Sequence, residues 1–219
     1  MTFARKDSAG RARLAPRREP VQARAQKTVD AILDTAAALL DEVGVEGFNT
    51  NVLAERAAIR VRTVYRYFPN KLAVITAVAE RLAAEWDGWF DGFRALADPR
   101  AGWRTLWTAY IDAFVDGIRR APGGLAIRRA MRALPELRAV DAADNARLAR
   151  QLASALGRRG VGLSRDRLAR MARILVETSV TVLDLALLQP DAPTYALIEE
   201  LKCMQLAYLE AAIGRRARR

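Results

Sequence analysis

The sequence contains no histidine and only one cysteine, Cys203, among its 219 residues. Thiolate and imidazole are the usual zinc ligands and histidine is the commonest general base, so the ordinary active sites built on these groups are excluded. One cysteine also excludes an internal disulfide, which suits a reducing cytoplasm. Because Cys203 lies in an apolar helical stretch, we expect an inert structural thiol there.

Several other functional signatures are missing from the sequence. None of the four serines stands in a Gly-x-Ser-x-Gly elbow, and there is no glycine-rich phosphate loop. No run of about 18 uncharged apolar residues occurs, and no apolar segment follows the first charges, so we expect neither a membrane span nor a secretory signal. These absences predict a cytoplasmic protein that is not an enzyme and has no catalytic residues, no metal and no cofactor.

The chain is rich in helix-forming residues. Apolar residues make up 52% of it, with many alanines and leucines, against 13 glycines and 8 prolines. Such a composition favours helices throughout. We therefore predict an all-α protein.

Positive charge is concentrated at the two ends of the chain. The formal net charge is +11, to which residues 1–27 contribute +6 and residues 215–219 contribute +4. We interpret residues 1–24 as a disordered basic arm and residues 215–219 as a basic tail, and both would strengthen salt-dependent binding to nucleic acid. Ordinary solvated tails explain the same charges.

Residues 50–71 are the stretch around which the chain is organised. Two short helix patterns follow one another here, joined by a tight connection. Thr50 is placed to cap the first of them, and Asn70 to cap a third helix that follows. A longer amphipathic helix at 25–43, closed by Gly44, precedes them. This order predicts a helix-turn-helix whose second helix enters the major groove.

Charges are segregated along this region. From Arg56 to Lys71 there are five cations and no acid, whereas Asp30 to Glu55 carries six acids and no cation. In the second short helix the apolar side chains face one way while arginine, threonine and tyrosine face elsewhere. A helix anchored by an apolar base can present a cationic front to a polyanion, with arginine reaching guanine edges and phosphates. We therefore predict binding to double-stranded DNA.

The string Thr63-Val64-Tyr65-Arg66-Tyr67-Phe68-Pro69-Asn70-Lys71 resembles the Thr-Leu-Tyr-x-His/Tyr-Phe-x-x-Lys hallmark of the TetR/AcrR family of bacterial repressors. The resemblance in motif covers residues 27–80. It implies phosphate contacts for Thr50, Tyr67 and Lys71. It also implies contacts with bases or the nearby backbone for Asn51, Val61, Arg62, Thr63, Tyr65 and Arg66.

The turn between the two short helices departs from the family pattern. Where the family usually has Gly-Val-Ser, this chain has Ala58-Ile59-Arg60. Alanine carries a conformational cost if the turn needs a positive φ. Arg60 replaces a small phosphate-binding hydroxyl, and we keep it among the DNA-binding candidates.

The remaining chain predicts a second, larger helical domain. The helix that starts at Asn70 is predicted to continue to Phe93, and five further helices follow it. We assign residues 25–72 to a DNA-binding domain and residues 73–214 to a ligand-binding and dimerisation domain.

Aromatic residues in the second domain suit a cavity between helices. The predicted lining is Phe90, Phe93, Trp103, Trp107, Tyr110, Phe114, Met131, Glu177 and Thr181. Aromatic side chains at helical spacing are also typical of a solid core, so that alternative stays open. Glu177 is an isolated acid in an apolar run and would favour a cationic ligand, but a solvent-facing or arginine-paired carboxylate fits equally.

The last two predicted helices, opened by Ser164 and Pro193, are apolar on more than one face. A segment that is apolar nearly all round must be covered on several sides. We therefore predict a homodimer through these two helices, forming a four-helix bundle, as the family resemblance also implies. A monomer that buries the same faces internally is the alternative.

Three functions compete at this point. The first is a dimeric repressor on a palindromic operator, released by a small-molecule inducer as the family resemblance implies. The second is a helix-turn-helix regulator without a ligand, or a DNA-organising protein with the same DNA-binding domain and a solid core in its second domain. The third, an enzyme that uses the cavity, is disfavoured by the missing catalytic residue types.

Overall fold

The structure is a computed structural model that describes residues 23–89, 92–189 and 191–213. Within these ranges every regular element is an α-helix, which confirms the all-α prediction. In chain order the helices are α1 Ala23–Gly47, α2 Thr50–Arg56, α3 Val61–Tyr67, α4 Lys71–Trp89, α5 Gly92–Leu96, α6 Trp103–Arg120, α7 Gly124–Ala133, α8 Pro135–Arg159, α9 Arg165–Leu188 and α10 Thr194–Ile213. The predicted arm, apart from its last two residues, and the predicted tail lie outside the described residues.

Helix boundaries mostly follow the predicted signals. Ser164 caps α9, since its hydroxyl accepts from the Arg167 amide at 3.3 Å. The helix that starts at Lys71 is described as far as Trp89, and Phe93 lies in α5, which begins at Gly92. Residues 90 and 91 lie outside the described residues, so the predicted continuation to Phe93 stays a prediction.

The chain forms two compact units by packing. Among the described residues, the first contains 23–84 and 120–140, and the second contains 85–119 and those from 141 onwards. Helix α7 therefore packs with the amino-terminal helices, whereas the sequence placed it in the second domain. The functional domain boundaries at residue 72 and residue 214 stay predictions.

In the first unit, one apolar core carries the short helices. Fully buried side chains from α1 to α4 form it, among them Ile32, Leu40, Leu53, Phe68 and Ile75. Burial of each such side chain contributes about 1.5–3 kcal/mol, which holds α2 and α3 although both have only seven residues.

A polar contact joins α7 to α1 within this unit. The Asp41 carboxylate accepts from the Gly123 amide at 2.6 Å, at the amino-terminal end of α7. Gly123 has φ +77°, and a Cβ there would lie 3.1 Å from the Ala37 carbonyl oxygen. Only glycine fits this close approach without strain.

In the second unit, helices α6, α8, α9 and α10 share a continuous apolar core. Lys202 on α10 bridges to Asp112 on α6 at 2.6 Å and to Glu199 at 2.8 Å. Burial by itself would lower the pKa of Lys202, but hydrogen bonds and the charges of these two carboxylates raise it overall. The ammonium therefore stays charged and ties α10 to α6.

Arg159, at the end of α8, holds the loop between α5 and α6. Its guanidinium is buried and donates to the carbonyls of Leu96, Asp98, Pro99 and Ala101 at 2.7–3.3 Å. Four carbonyl partners compensate for much of the cost of burying the charge. This loop therefore has a fixed path although it contains no regular structure between α5 and α6.

Candidate functional site

Helices α2 and α3 form the predicted helix-turn-helix, with one change at its start. Asn49, and not Thr50, is the amino-terminal cap of α2, since its side chain accepts from the Asn51 amide at 2.7 Å. Three consecutive cap-forming residues stand here, so composition did not identify the cap. Thr50 is the first helical residue, and its hydroxyl is 3.0 Å from the Tyr65 hydroxyl. This hydrogen bond connects the start of α2 to α3.

The turn contains the positive φ that is unfavourable for an alanine. Ala58 adopts φ +51°. The Ala58 and Ile59 amides donate to the carbonyls of Glu55 and Ala54, both at 3.0 Å, and these bonds fix the reversal. Arg60 is the amino-terminal cap of α3 but makes no side-chain capping bond. Its exposed guanidinium is therefore available to a partner outside the chain.

Helix α3 has a buried base and a cationic front. Val64 and Tyr67 are buried, whereas Arg62, Tyr65 and Arg66 are exposed. The predicted contacts Val61 and Thr63 are half-buried at the edge of this front, and Asn51 is exposed on α2. The structure thus brings most of the predicted DNA-binding residues to one surface.

Tyr67, the predicted phosphate contact, is largely buried beside Arg66. It is only 3% exposed, and its hydroxyl accepts a hydrogen bond from Arg66 at 2.5 Å. The Arg66 guanidinium also lies over the Tyr67 ring, 4.7 Å from its centroid. The cation in this pair faces solvent and is better placed than the phenol to meet a phosphate.

A concave surface adjoins the front, where α4 begins. It is lined by residues 46–50, Tyr65 and residues 69–71. The Asn70 side chain accepts from the Ala73 amide at 2.9 Å, which confirms the predicted cap. Lys71 is exposed at the first turn of this 19-residue helix. A lysine at the positive end of a helix dipole is suited to a phosphate oxygen.

The second unit contains an apolar cavity. Its empty space is about 470 Å³ when open solvent at the mouth is counted, and the centre of a water-sized sphere can occupy about 50 Å³ of it. The lining side chains come from α5, α6, α8 and α9: Phe93, Trp107, Tyr110, Ile111, Phe114, Leu148, Leu175, Val176, Ser179, Val180 and Leu183. Four predicted ligand-binding residues, Phe93, Trp107, Tyr110 and Phe114, are therefore brought together.

The other predicted ligand-binding residues do not line this cavity. Glu177 is paired with Arg173 at 2.6 Å, and Thr181 is exposed on α9. Trp103 is buried at the start of α6, two turns before Tyr110, and Met131 is buried on α7 in the first unit. Phe90 lies outside the described residues. The aliphatic lining of α8 and α9 was not predicted, because its sequence pattern is that of any buried helix.

A polar network stands behind the cavity wall. Gln205 on α10 is buried, and its carbonyl oxygen accepts from the Trp107 indole nitrogen at 3.1 Å. Its amide nitrogen donates to the Leu175 carbonyl and to the Thr178 hydroxyl, both at 2.9 Å. The network fixes the orientation of Trp107 against α9 and α10.

Three further observations on the described residues concern metal ligands, membrane-spanning helices and Cys203. They contain no group of three or more histidine, cysteine, aspartate or glutamate side chains arranged to hold a metal ion. No helix among them is both long and apolar enough to cross a membrane. Cys203 is exposed rather than buried, so its expected structural role is not supported by packing.

Comparison with known proteins gives two family matches. Residues 32–78 match the family described as bacterial regulatory proteins, tetR family. Residues 103–209 match the family described as tetracyclin repressor-like, C-terminal domain. The two matches together include the helix-turn-helix and most of the second unit.

Individual relatives agree with these matches. The tetracycline repressor protein class A from transposon 1721 of Escherichia coli is 41% identical over 56 residues, which are 26% of this chain and 26% of that protein. The chain thus matches about a quarter of the length of the curated relatives. A TetR-family transcriptional regulator from Streptomyces coelicolor has a TM-score of 0.59 at 28% identity, covering 84% of this chain and 99% of that one. The multidrug binding protein EbrR, solved in complex with imidazole, has a TM-score of 0.58 at 20% identity, covering 78% and 86%.

Proposed function

The chain belongs to the TetR family of bacterial regulatory proteins, and from this premise we propose that it is a transcriptional repressor. Two copies bind a palindromic operator through their helix-turn-helix units, and a small molecule in the cavity releases them. The family consists of regulators rather than enzymes. We also propose that the protein works in the cytoplasm, where a bacterial operator lies.

The cationic front of α3 is the observation that carries this proposal. Arg62 and Arg66 project from a helix whose opposite side is buried, and Arg60 and Lys71 lie at either end of the same segment. From Arg56 to Lys71 the sequence has no acid that would neutralise them. Arginine on an exposed helix reads guanine edges, while cations at helix ends hold phosphates.

Exposed apolar side chains on α9 and α10 support a homodimer. On α9, Ile174 is 50% exposed and Leu185 is 46% exposed. Thr181 and Leu185 follow Ile174 by seven and eleven residues, so all three lie on one face of the helix. On α10, small residues repeat along one exposed face at Ala196, Cys203, Ala207 and Ala211, with the half-exposed Met204 beside them. Small side chains let two helices approach closely, and a second copy of this chain would cover both faces.

The apolar cavity supports release by a ligand. Its lining is almost entirely apolar with a few polar groups, as is typical of small-molecule sites in proteins. The neighbour EbrR is described as a multidrug binding protein. A cavity among α5, α6, α8 and α9 would likewise allow this chain to bind a small molecule.

Selection of bound sequences from random duplex DNA, followed by titration of the recovered site, tests the proposal. We expect a palindromic site bound with a marked preference over random duplex at moderate salt. Lys71→Ala should weaken binding to all sequences about equally and reduce the salt dependence, whereas Arg62→Ala should also relax the preference at one base position. Arg150→Ala removes an exposed arginine of α8 and serves as the matched control.

Two results would contradict the repressor assignment. One is equal affinity for selected and random DNA. The other is a loss of affinity in Arg150→Ala as large as that in Arg62→Ala, because net charge alone would then explain binding.

A further inference from the structure

The cavity in the second unit has very few polar atoms to offer a ligand. Among the described residues, the eleven that line it include no charged side chain. Only three of them, Trp107, Tyr110 and Ser179, carry a hydrogen-bonding group. A charged molecule would lose its hydration on entering without gaining an ion pair, so the lining selects against charge.

Two of these three polar groups are already satisfied by the protein. The Trp107 indole nitrogen donates to Gln205 at 3.1 Å. The Ser179 hydroxyl donates to the Leu175 carbonyl at 2.8 Å and accepts from the Gln205 amide at 3.0 Å. Neither group can donate to a ligand without breaking a bond inside the core.

Tyr110 is the exception. Its side chain is 9% exposed, and its hydroxyl is buried with no hydrogen-bond partner among the described residues. The ring is held edge-on by Phe93, with centroids 5.2 Å apart, and by Trp107, with centroids 6.3 Å apart. Buried hydroxyls in proteins normally have a partner, so this position indicates a missing one.

The proton of this hydroxyl is available for donation. Burial raises the pKa of Tyr110 to about 12, and the nearby Leu96 backbone offsets this only in part without reaching hydrogen-bond geometry. The phenol therefore stays neutral and acts as a donor. A buried water usually needs two to four polar partners, and the lining has only this one free, so a water here would be easily displaced.

We propose that the cavity binds an uncharged, mainly aromatic or alicyclic molecule with one hydrogen-bond acceptor, which accepts from the Tyr110 hydroxyl. The apolar lining surrounds the rings, and the single polar contact fixes their orientation. A molecule of two fused rings with a small substituent would extend from the cavity into its open mouth, because the centre of a water-sized sphere can occupy only about 50 Å³ of this space. This inference names the ligand class of the cavity and so rests on the proposed function.

Calorimetric titration of the full chain with three naphthalene probes tests this inference. The probes are 2-acetylnaphthalene, its isosteric hydrocarbon 2-isopropenylnaphthalene, and 2-naphthoate. We expect the ketone to bind about 2–13-fold more tightly than the hydrocarbon, which corresponds to the usual net contribution of one neutral hydrogen bond. Naphthoate should bind at least tenfold more weakly than the ketone, since the lining has no cation to pair with it.

Tyr110→Phe removes the hydroxyl and keeps the ring. In this variant the ketone and the hydrocarbon should bind with equal affinity, while hydrocarbon binding stays as in the wild-type protein. Tyr208→Phe, on α10 outside the cavity lining, is the matched control and should preserve the difference. Binding of none of the probes, preference for naphthoate, or an unchanged ketone preference in Tyr110→Phe would overturn the inference.

Because the titration uses DNA-free protein, its outcome is separable from that of operator release. Ketone binding through Tyr110 that leaves a selected operator complex intact would count against the repressor mechanism and not against the ligand class. Operator release by naphthoate, unaffected by Tyr110→Phe, would support the repressor and refute the ligand class.

Discussion

Ala58 shows how one residue determines the geometry of the DNA-binding surface. A left-handed conformation costs a residue with a Cβ about 1–2 kcal/mol, and Ala58 adopts it at φ +51°. The hydrogen bonds of the Ala58 and Ile59 amides hold the turn against this cost. Glycine, which has no Cβ, would therefore stabilise the turn at this position.

We expect Ala58→Gly to stabilise the protein by about 0.5–1 kcal/mol, because the relief of strain exceeds the added backbone entropy of the unfolded chain. Urea denaturation measures the change. The neighbouring Ala57 has φ −76°, so Ala57→Gly brings no relief and should be destabilising. Equal effects of the two substitutions would show that the left-handed turn is not strained.

Tyr110 predicts a specific alkaline sensitivity. Its pKa is about 12 in the folded protein because of burial, against an ordinary value of 10.0. Below pH 10 the phenol is neutral in both states, so its contribution to stability is fully present. As pH rises from 10 to 12 the unfolded chain ionises first, and stability is lost.

Comparison with Tyr110→Phe isolates this contribution, since phenylalanine does not titrate. The wild-type protein should lose about 1–3 kcal/mol more than the variant between pH 9.5 and pH 12. Urea denaturation across this range measures the difference. Parallel stability curves for the two proteins would contradict the predicted pKa.

At the scale of helices, the start of α7 depends on its contact with α1. Gly123 combines a positive φ with close approach to Ala37, and its amide donates to Asp41. Two independent constraints therefore fall on one position.

Gly123→Ala should destabilise the protein by about 1–3 kcal/mol, since a Cβ would meet the Ala37 backbone at 3.1–3.2 Å in an unfavourable conformation. Gly157→Ala is the matched control, and we expect it to change the stability in the opposite direction. Gly157 lies within α8, where a Cβ would make only ordinary contact with Leu168 at 3.6 Å, so alanine should stabilise the helix by about 0.5–1 kcal/mol. Thermal denaturation of both variants decides whether the Gly123 contact is as tight as described.

Element types were predictable because periodicity and capping residues are local signals. The caps at Ser164 and Asn70 were identified, whereas the cap of α2 was placed one residue late among three adjacent candidates. The cavity was only partly predictable. Aromatic side chains identified its α6 wall, but Val180 and Thr181 are adjacent on α9, and no local signal tells which of them faces inward. That choice depends on neighbours distant in sequence.

At the scale of the whole molecule, the proposed function depends on two copies. A single recognition helix reads few base pairs, so operator affinity should depend on the pairing of α9 and α10. Leu185→Glu and Ala207→Glu place a carboxylate on each exposed face of these helices.

We expect the double variant to be a folded monomer by analytical ultracentrifugation and to bind the selected operator at least tenfold more weakly, because half of the contacts are lost. Ala142→Glu on the exposed side of α8 is the control and should leave both properties unchanged. A wild-type monomer at micromolar concentration, or full operator affinity in the double variant, would contradict the dimer.

Arg159 has a consequence for how this protein can change over evolutionary time. Its guanidinium recognises four main-chain oxygens between Leu96 and Ala101 and none of the side chains there. Main-chain atoms are the same whichever amino acid carries them, so the loop can accumulate substitutions while its course is preserved. A lysine at this position has a compact ammonium instead of a planar guanidinium and could not donate to all four oxygens in the same way. The tolerance of the loop to substitution therefore depends on keeping arginine at position 159.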